Sequence, residues 1–125
     1  MTECIVVGIG GFIGAVCRYL IGLIPVSESC PFPIKTFFIN IIGSFAIGLI
    51  AALALKNSPP GPRLVLFCKV GICGGFTTFS SFALETENLL KSGNVKTAIA
   101  YAVLSMAVGT AAVFAGEAIT KTLLQ

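Results

Sequence analysis

The chain has 125 residues, of which 56% are hydrophobic and only 10% charged, and its mean hydropathy is +1.01. Eight basic and five acidic side chains are too few to clothe a soluble domain of this size, and a net charge of +3 is too small to mark a nucleic-acid surface. The composition is that of an integral membrane protein, with room for four spans of about 20 residues, short loops and no soluble domain.

The expected fold class is therefore all-α: a single four-helix transmembrane domain over residues 1–125, with spans at about 3–24, 35–55, 64–90 and 98–120. The start of the chain lacks a basic leader and a cleavage pattern, so the first span is expected to be retained. Five cysteines (Cys4, Cys17, Cys30, Cys68, Cys73) have no paired metal-ligand spacing and there is no histidine. They read as small apolar fillers.

In the first span, Gly10, Gly14 and Arg18 follow at steps of four. Small residues at that spacing let two helices approach closely. Arg18 lies in the last turns, where it either snorkels to the interface or places a positive charge at the mouth of an anion path. After a loop at 25–33, the second span sets lipid-type residues against one small or polar stripe, Thr36, Asn40, Ser44 and Gly48, which share a helical face. A carboxamide in hydrocarbon needs a partner, so Asn40 reads either as an interhelical bond or as pore lining.

A polar loop with three prolines, KNSPPGPR at 56–63, precedes the third span. That span is too long for a plain crossing, and it contains GICGGFTTFSSF at 71–82. Each interior glycine weakens a helix by about 1 kcal/mol against alanine. Three of them followed by Thr77 and Thr78 predict a break near the middle of the span, between 71 and 77. Such a break is tolerated at membrane depth only where protein, water or an ion satisfies its carbonyls; a kink that merely improves packing is the bland alternative. Beyond it, Phe79 and Phe82 share one face with Thr86, while Thr78, Ser81, Glu85 and Asn88 form a second, polar face. A phenylalanine pair is ordinarily packing, but a carboxylate in a span leans functional. Phe76 falls in the packing class. In the fourth span, Tyr101, Ser105, Gly109, Ala112 and Gly116 form a small or polar stripe.

Four spans put Lys56, Arg63, Lys69 and Lys121 on one side of the membrane and Arg18, Lys35, Lys91 and Lys96 on the other. This balance gives the positive-inside rule nothing to act on. A chain without bias can insert both ways, and two opposed copies would make an antiparallel dimer.

GGFIGAVCRY (10–19), FFINIIGS (37–44) and GICGGFTTFSSF followed by Glu85 together resemble the Fluc fluoride channels, also called CrcB proteins. The resemblance covers essentially the whole chain. It implies an antiparallel dual-topology homodimer in the cell (inner) membrane, with two fluoride pores and a structural sodium ion at the dimer interface. It also implies roles. Main-chain carbonyls of Gly74 and Thr77 would hold the sodium, and Asn40, Phe79, Phe82, Ser105 and Tyr101 would line the fluoride pore. Thr78, Ser81 and Glu85 would form a polar track, and Arg18 would stand at the vestibule. Two departures from the family pattern are Ser81, where Thr is frequent, and Gly109 with Thr110 beside it, where some members carry a hydroxyl one turn beyond Ser105.

These residue types suit a small anion. Amide and hydroxyl donors replace lost waters, and phenyl rings present a positive edge. The implied role is passive export of fluoride, lowering its concentration in the cytoplasm. There is no nucleophile–base pair and no phosphate loop, so an enzyme is not expected; GGFIG follows no strand and is not a nucleotide site. Two rival functions remain: a proton-coupled exporter of the small multidrug type, which would want a glutamate inside the first span where only Glu3 stands at its start, and an accessory membrane subunit, which leaves the polar stripes without a purpose.

Overall fold

The computed structural model describes residues 1–123. Helix α1 (Thr2–Gly22) and helix α2 (Ile34–Ala54) are regular. The third span is composite: a short α3 (Pro62–Val65), a π-helical stretch (Leu66–Cys73), one turn of α4 (Gly74–Phe76) and, after two extended residues, α5 (Phe79–Lys91). Helix α6 (Val95–Leu123) completes the chain. Four helical segments, with Pro62–Lys91 counted as one, are long and apolar enough to cross a bilayer, and the protein is a multi-pass membrane protein.

Local chemistry sets the ends. Pro62 opens α3 at a position where its missing N–H costs nothing. Helix α5 stops in a Schellman turn: Asn94 N–H donates to the Leu89 carbonyl (2.8 Å), Gly93 N–H to Leu90 (3.1 Å), and Gly93 takes φ +82°. Lys35, at the start of α2, donates to the Gly22 carbonyl (2.7 Å). It thus caps the C-terminal end of α1, where a cation is favoured. Helix α6 runs three residues further at each end than expected; Glu117 and Lys121, one turn apart and 3.7 Å from one another, continue it past the apolar stretch.

The helices pack as two pairs. Helix α1 lies along the π-helical stretch and α4, while α2 lies along α6, which also carries α5. Both pairings rest on glycine. Gly10 faces the backbone of Phe67 and Gly71, and Gly14 faces Ile72, Gly75 and Phe76; a Cβ on either would strike main-chain atoms. On the other pair, Gly48 faces the Val113 carbonyl and Gly116 the Phe45 carbonyl. Without a hydrophobic force between helices in lipid, close backbone approach is the main source of helix–helix attraction.

The third span is broken near its middle as expected, but at the far edge of the 71–77 window and not in the glycine run itself. Gly74 is helical (φ −65°, ψ −38°). The extended residues are Thr77 (φ −73°, ψ 156°) and Thr78 (φ −149°, ψ 119°). The physical reason is a division of labour: Gly71 and Gly75 are spent on contact with α1, and the backbone turns only where another helix supplies replacement hydrogen bonds. Gly43 on α2 makes room at that point, because a Cβ there would meet the Thr77 methyl group.

Gly75→Ala pushes a methyl into the Gly11 backbone and should cost about 1–3 kcal/mol, read as a lower thermal midpoint of the purified protein. Gly8→Ala, where nothing lies within 4 Å, should leave that midpoint unchanged or slightly raised.

Candidate functional site

The site is built around the two-residue gap between α4 and α5. An ordinary helix would pair Thr78 N–H with the Gly74 carbonyl. Here Thr78 N–H donates to Asn40 Oδ1 (2.8 Å), and Asn40 Nδ2 donates back to the Thr78 carbonyl (3.1 Å). The carboxamide behaves as a peptide group inserted from α2. It satisfies both freed backbone groups of Thr78, which would each cost about 1–3 kcal/mol if left bare. A second donor approaches from α1: Arg18 Nη1 lies 3.4 Å from the Thr77 carbonyl. Thr77 closes α4 on itself, its N–H (3.0 Å) and its hydroxyl (2.8 Å) both donating to the Cys73 carbonyl.

Thr78 is the N-cap of α5: its hydroxyl oxygen accepts from Ser81 N–H (3.2 Å) and its O–H donates to Ser81 Oγ (3.1 Å). Two members of the expected polar track therefore serve the helix start. Glu85, the third, stands apart from them. Its carboxylate accepts from Thr36 Oγ1 (2.6 Å) on α2 and from Tyr101 OH (2.7 Å) on α6. Tyr101 is fully buried, ringed by Phe32 at 5.3 Å and Phe82 at 5.0 Å between centroids. Asn88, placed on the same face by spacing, is exposed.

Beside the break lies a cavity of about 350 Å³. Asn40, Ser44, Gly74, Thr77, Thr78, Phe79, Phe82 and Ser105 all border it. Ser105 is the informative member: its hydroxyl oxygen is buried and, within the described residues, has no hydrogen-bond partner. Asn40 keeps a second N–H that the Thr78 carbonyl does not use. The cavity wall thus combines residues with uncommitted donors and two phenyl rings, Phe79 and Phe82, 5.7 Å apart and inclined at 43°. Phe82 is half-buried and Phe79 is 79% exposed on the chain surface. A second cavity, about 460 Å³, shares Ser44 and Ser105 with the first and continues along α6 past Gly109 and Thr110 to Glu117.

Of the residues singled out by sequence, the structure gathers Asn40, Gly74, Thr77, Thr78, Phe79, Phe82 and Ser105 about one cavity. Ser81, Glu85, Tyr101 and Arg18 do not border it. Tyr101 meets it only through the Phe82 ring, and Arg18 only through the backbone of Thr77. Sequence reasoning missed Thr36 as a partner of Glu85, although its place at the head of the α2 stripe was the available signal. It also missed Thr78 as a cap, for which a threonine ahead of an apolar helical run was the cue.

A model of the family described as CrcB-like protein, Camphor Resistance (CrcB), matches residues 5–117. The chain belongs to the CrcB family. The membership agrees with the resemblance carried by the glycine, asparagine and TTFSSF motifs. Among curated relatives, the chain is 44% identical to the fluoride-specific ion channel FluC of Ruminiclostridium cellulolyticum, covering 98% of this chain and 95% of that protein. It is 39% identical to FluC of Azobacteroides pseudotrichonymphae, covering 97% and 98%, and 41% identical to FluC of Chlorobaculum tepidum, covering 97% and 96%. These relatives are thus matched over nearly their whole length, and the site just described lies inside the region that the family model matches.

Thr36 and Tyr101 hold the two oxygens of one carboxylate, so their loss should not add. In a double-mutant cycle with Thr36→Val and Tyr101→Phe, unfolding measurements should give a coupling of about 0.5–1.5 kcal/mol. Strict additivity would dissolve the network into two independent contacts.

Proposed function

We propose that this chain forms a fluoride-selective passive channel, not an enzyme, that exports fluoride from the cytoplasm. The observation that carries the reading is the buried Ser105 hydroxyl, without a hydrogen-bond partner among the described residues, in the wall of a cavity that Asn40, Phe79 and Phe82 also border. A buried polar group without a partner is costly, and here its residue is part of a cavity wall. Donors with no acceptor beside them are what a dehydrated anion requires. The near-complete match to proteins named fluoride-specific ion channel supports fluoride as that anion.

In this reading Asn40 does two things. One N–H holds the Thr78 carbonyl, fixing the break; the other meets the ion. Ser105 donates a hydroxyl, and Phe79 and Phe82 offer ring edges, weak contacts that let an ion move on to the next donor. Fluoride is the smallest halide, so a path closed around it by rings excludes chloride. Ser44 and Thr110 border the continuation of the cavity along α6. Thr78, Ser81 and Glu85 serve as the polar track beside the path, with Glu85 held by hydroxyls so that its charge does not face the anion bare; Tyr101, expected in the pore lining, stands behind the Phe82 ring. Arg18 lends positive charge at the vestibule.

The working unit in this proposal is an antiparallel, dual-topology homodimer, for which the even distribution of basic residues is the support within the chain. A structural sodium ion at the dimer interface fits the carbonyls available. Thr78 N–H is committed to Asn40, so the Gly74 carbonyl lacks the donor a continuous helix would bring, and Gly74 and Thr77 border the same cavity. Neutral carbonyl oxygens suit a small hard cation. When bound, the ion would neutralise these dipoles and place positive charge at the dimer centre.

Liposomes holding the purified protein should release fluoride rapidly and retain chloride, with no proton gradient required; a folded protein that passes no fluoride would refute the proposal. Asn40→Asp replaces a donor by a carboxylate at the cavity wall and should lower fluoride flux at least about a hundredfold, the scale of one lost charge-assisted contact plus repulsion. Wild-type flux in that variant would remove Asn40 from the path.

A further inference from the structure

Arg18 occupies a position that the vestibule role does not require. Gly10, Gly14 and Arg18 lie on one face of α1. The first two press against the backbone of the third span, and the third brings its guanidinium to the Thr77 carbonyl at 3.4 Å. At that distance the contact is chiefly a charge against a carbonyl dipole. It falls where the first half of the third span ends, and a helix C-terminus favours a cation. Arg18 is half-buried and makes no ion pair with an acidic side chain among the described residues.

We propose that Arg18 and the interfacial sodium ion draw on the same Thr77 carbonyl, and that Arg18 thereby sets the sodium affinity of the site. This inference rests on the sodium reading given above. A carbonyl oxygen has two lone pairs, so the two cations can share it. Each weakens the other's hold, by polarising the same oxygen and by direct repulsion. In a two-fold dimer both protomers contribute an arginine, which doubles the effect. Arg18 is thus a positioning residue for the break: it holds the Thr77 carbonyl in the single chain and tempers how tightly the assembled pair retains sodium.

The test is the thermal midpoint of the purified full-length dimer in detergent, measured against sodium chloride with N-methyl-D-glucamine chloride holding ionic strength constant and a cryptand buffering the low sodium range. Wild type should show a saturable sodium-dependent rise. Arg18→Gln and Arg18→Met, both uncharged, should reach half-saturation at about tenfold lower sodium or less, the order expected when the two like charges beside the site are removed. Arg18→Lys, which keeps the charge, should shift less than either. Half-saturation in the neutral variants equal to or above wild type, with wild type still sodium-dependent, overturns this inference and leaves the sodium site standing; so does a lysine variant that shifts as far as glutamine. A wild type without saturable sodium dependence overturns the sodium site, and this inference with it.

Discussion

The structure depends on one exchange of hydrogen bonds. Asn40, from the middle of α2, takes the N–H and the carbonyl of Thr78 and so does for the third span what the next helical turn would have done. In water a two-residue gap would be filled by solvent. In a membrane it needs a partner of peptide-like geometry, and a carboxamide is the side chain that has both a donor and an acceptor on one plane. Once Thr78 is held this way, its hydroxyl is free to cap α5, Gly74 and Thr77 turn to a cavity, and Phe79 and Phe82 are carried to the cavity's rim. A continuous helix would place none of these groups together.

Everything around the break serves to keep it in place. The glycine contacts of α1 with the π-helical stretch fix the first half of the span, and Arg18 meets its last carbonyl. The glycines of α2 and α6 lock the other pair, and the Thr36–Glu85–Tyr101 group ties α5 to both. The polar groups of the site are therefore of two kinds. Those committed to one another hold the scaffold, and those left over, the Ser105 hydroxyl and one N–H of Asn40, belong to residues that border the cavity. A channel needs this separation: donors that must let an ion go cannot also be the bonds that hold the helices.

Much of this was legible in the sequence because a membrane simplifies the rules. Span number and approximate ends follow from hydropathy, and a stripe at steps of four, such as Thr36–Asn40–Ser44–Gly48, has one face to go to. The stripe does point inward, toward Glu85, the break, the cavity and α6 in turn. What could not be read was which partner each polar group would choose. Glycine reads as a helix breaker through its propensity, yet Gly71 and Gly75 remain helical because their value here is close approach to α1, a tertiary fact. Glu85 looked like a member of a track with Thr78 and Ser81, since spacing alone cannot see that a tyrosine and a threonine on two other helices take both its oxygens. The π-helical widening at Leu66–Cys73 has no residue signature distinct from that of an ordinary glycine-containing helix.

The central claim is that Asn40 stands in for the missing helical hydrogen bonds at Thr78. Hydrogen–deuterium exchange of the reconstituted protein reads it directly, by following the Thr78 amide in wild type and in Asn40→Ala. The account predicts strong protection in wild type and exchange at least about tenfold faster in the variant, confined to the residues around the break, as one hydrogen bond of roughly 1.5 kcal/mol or more is lost. Equal protection of Thr78 in both proteins would mean that the backbone is satisfied by something other than Asn40, and would contradict it.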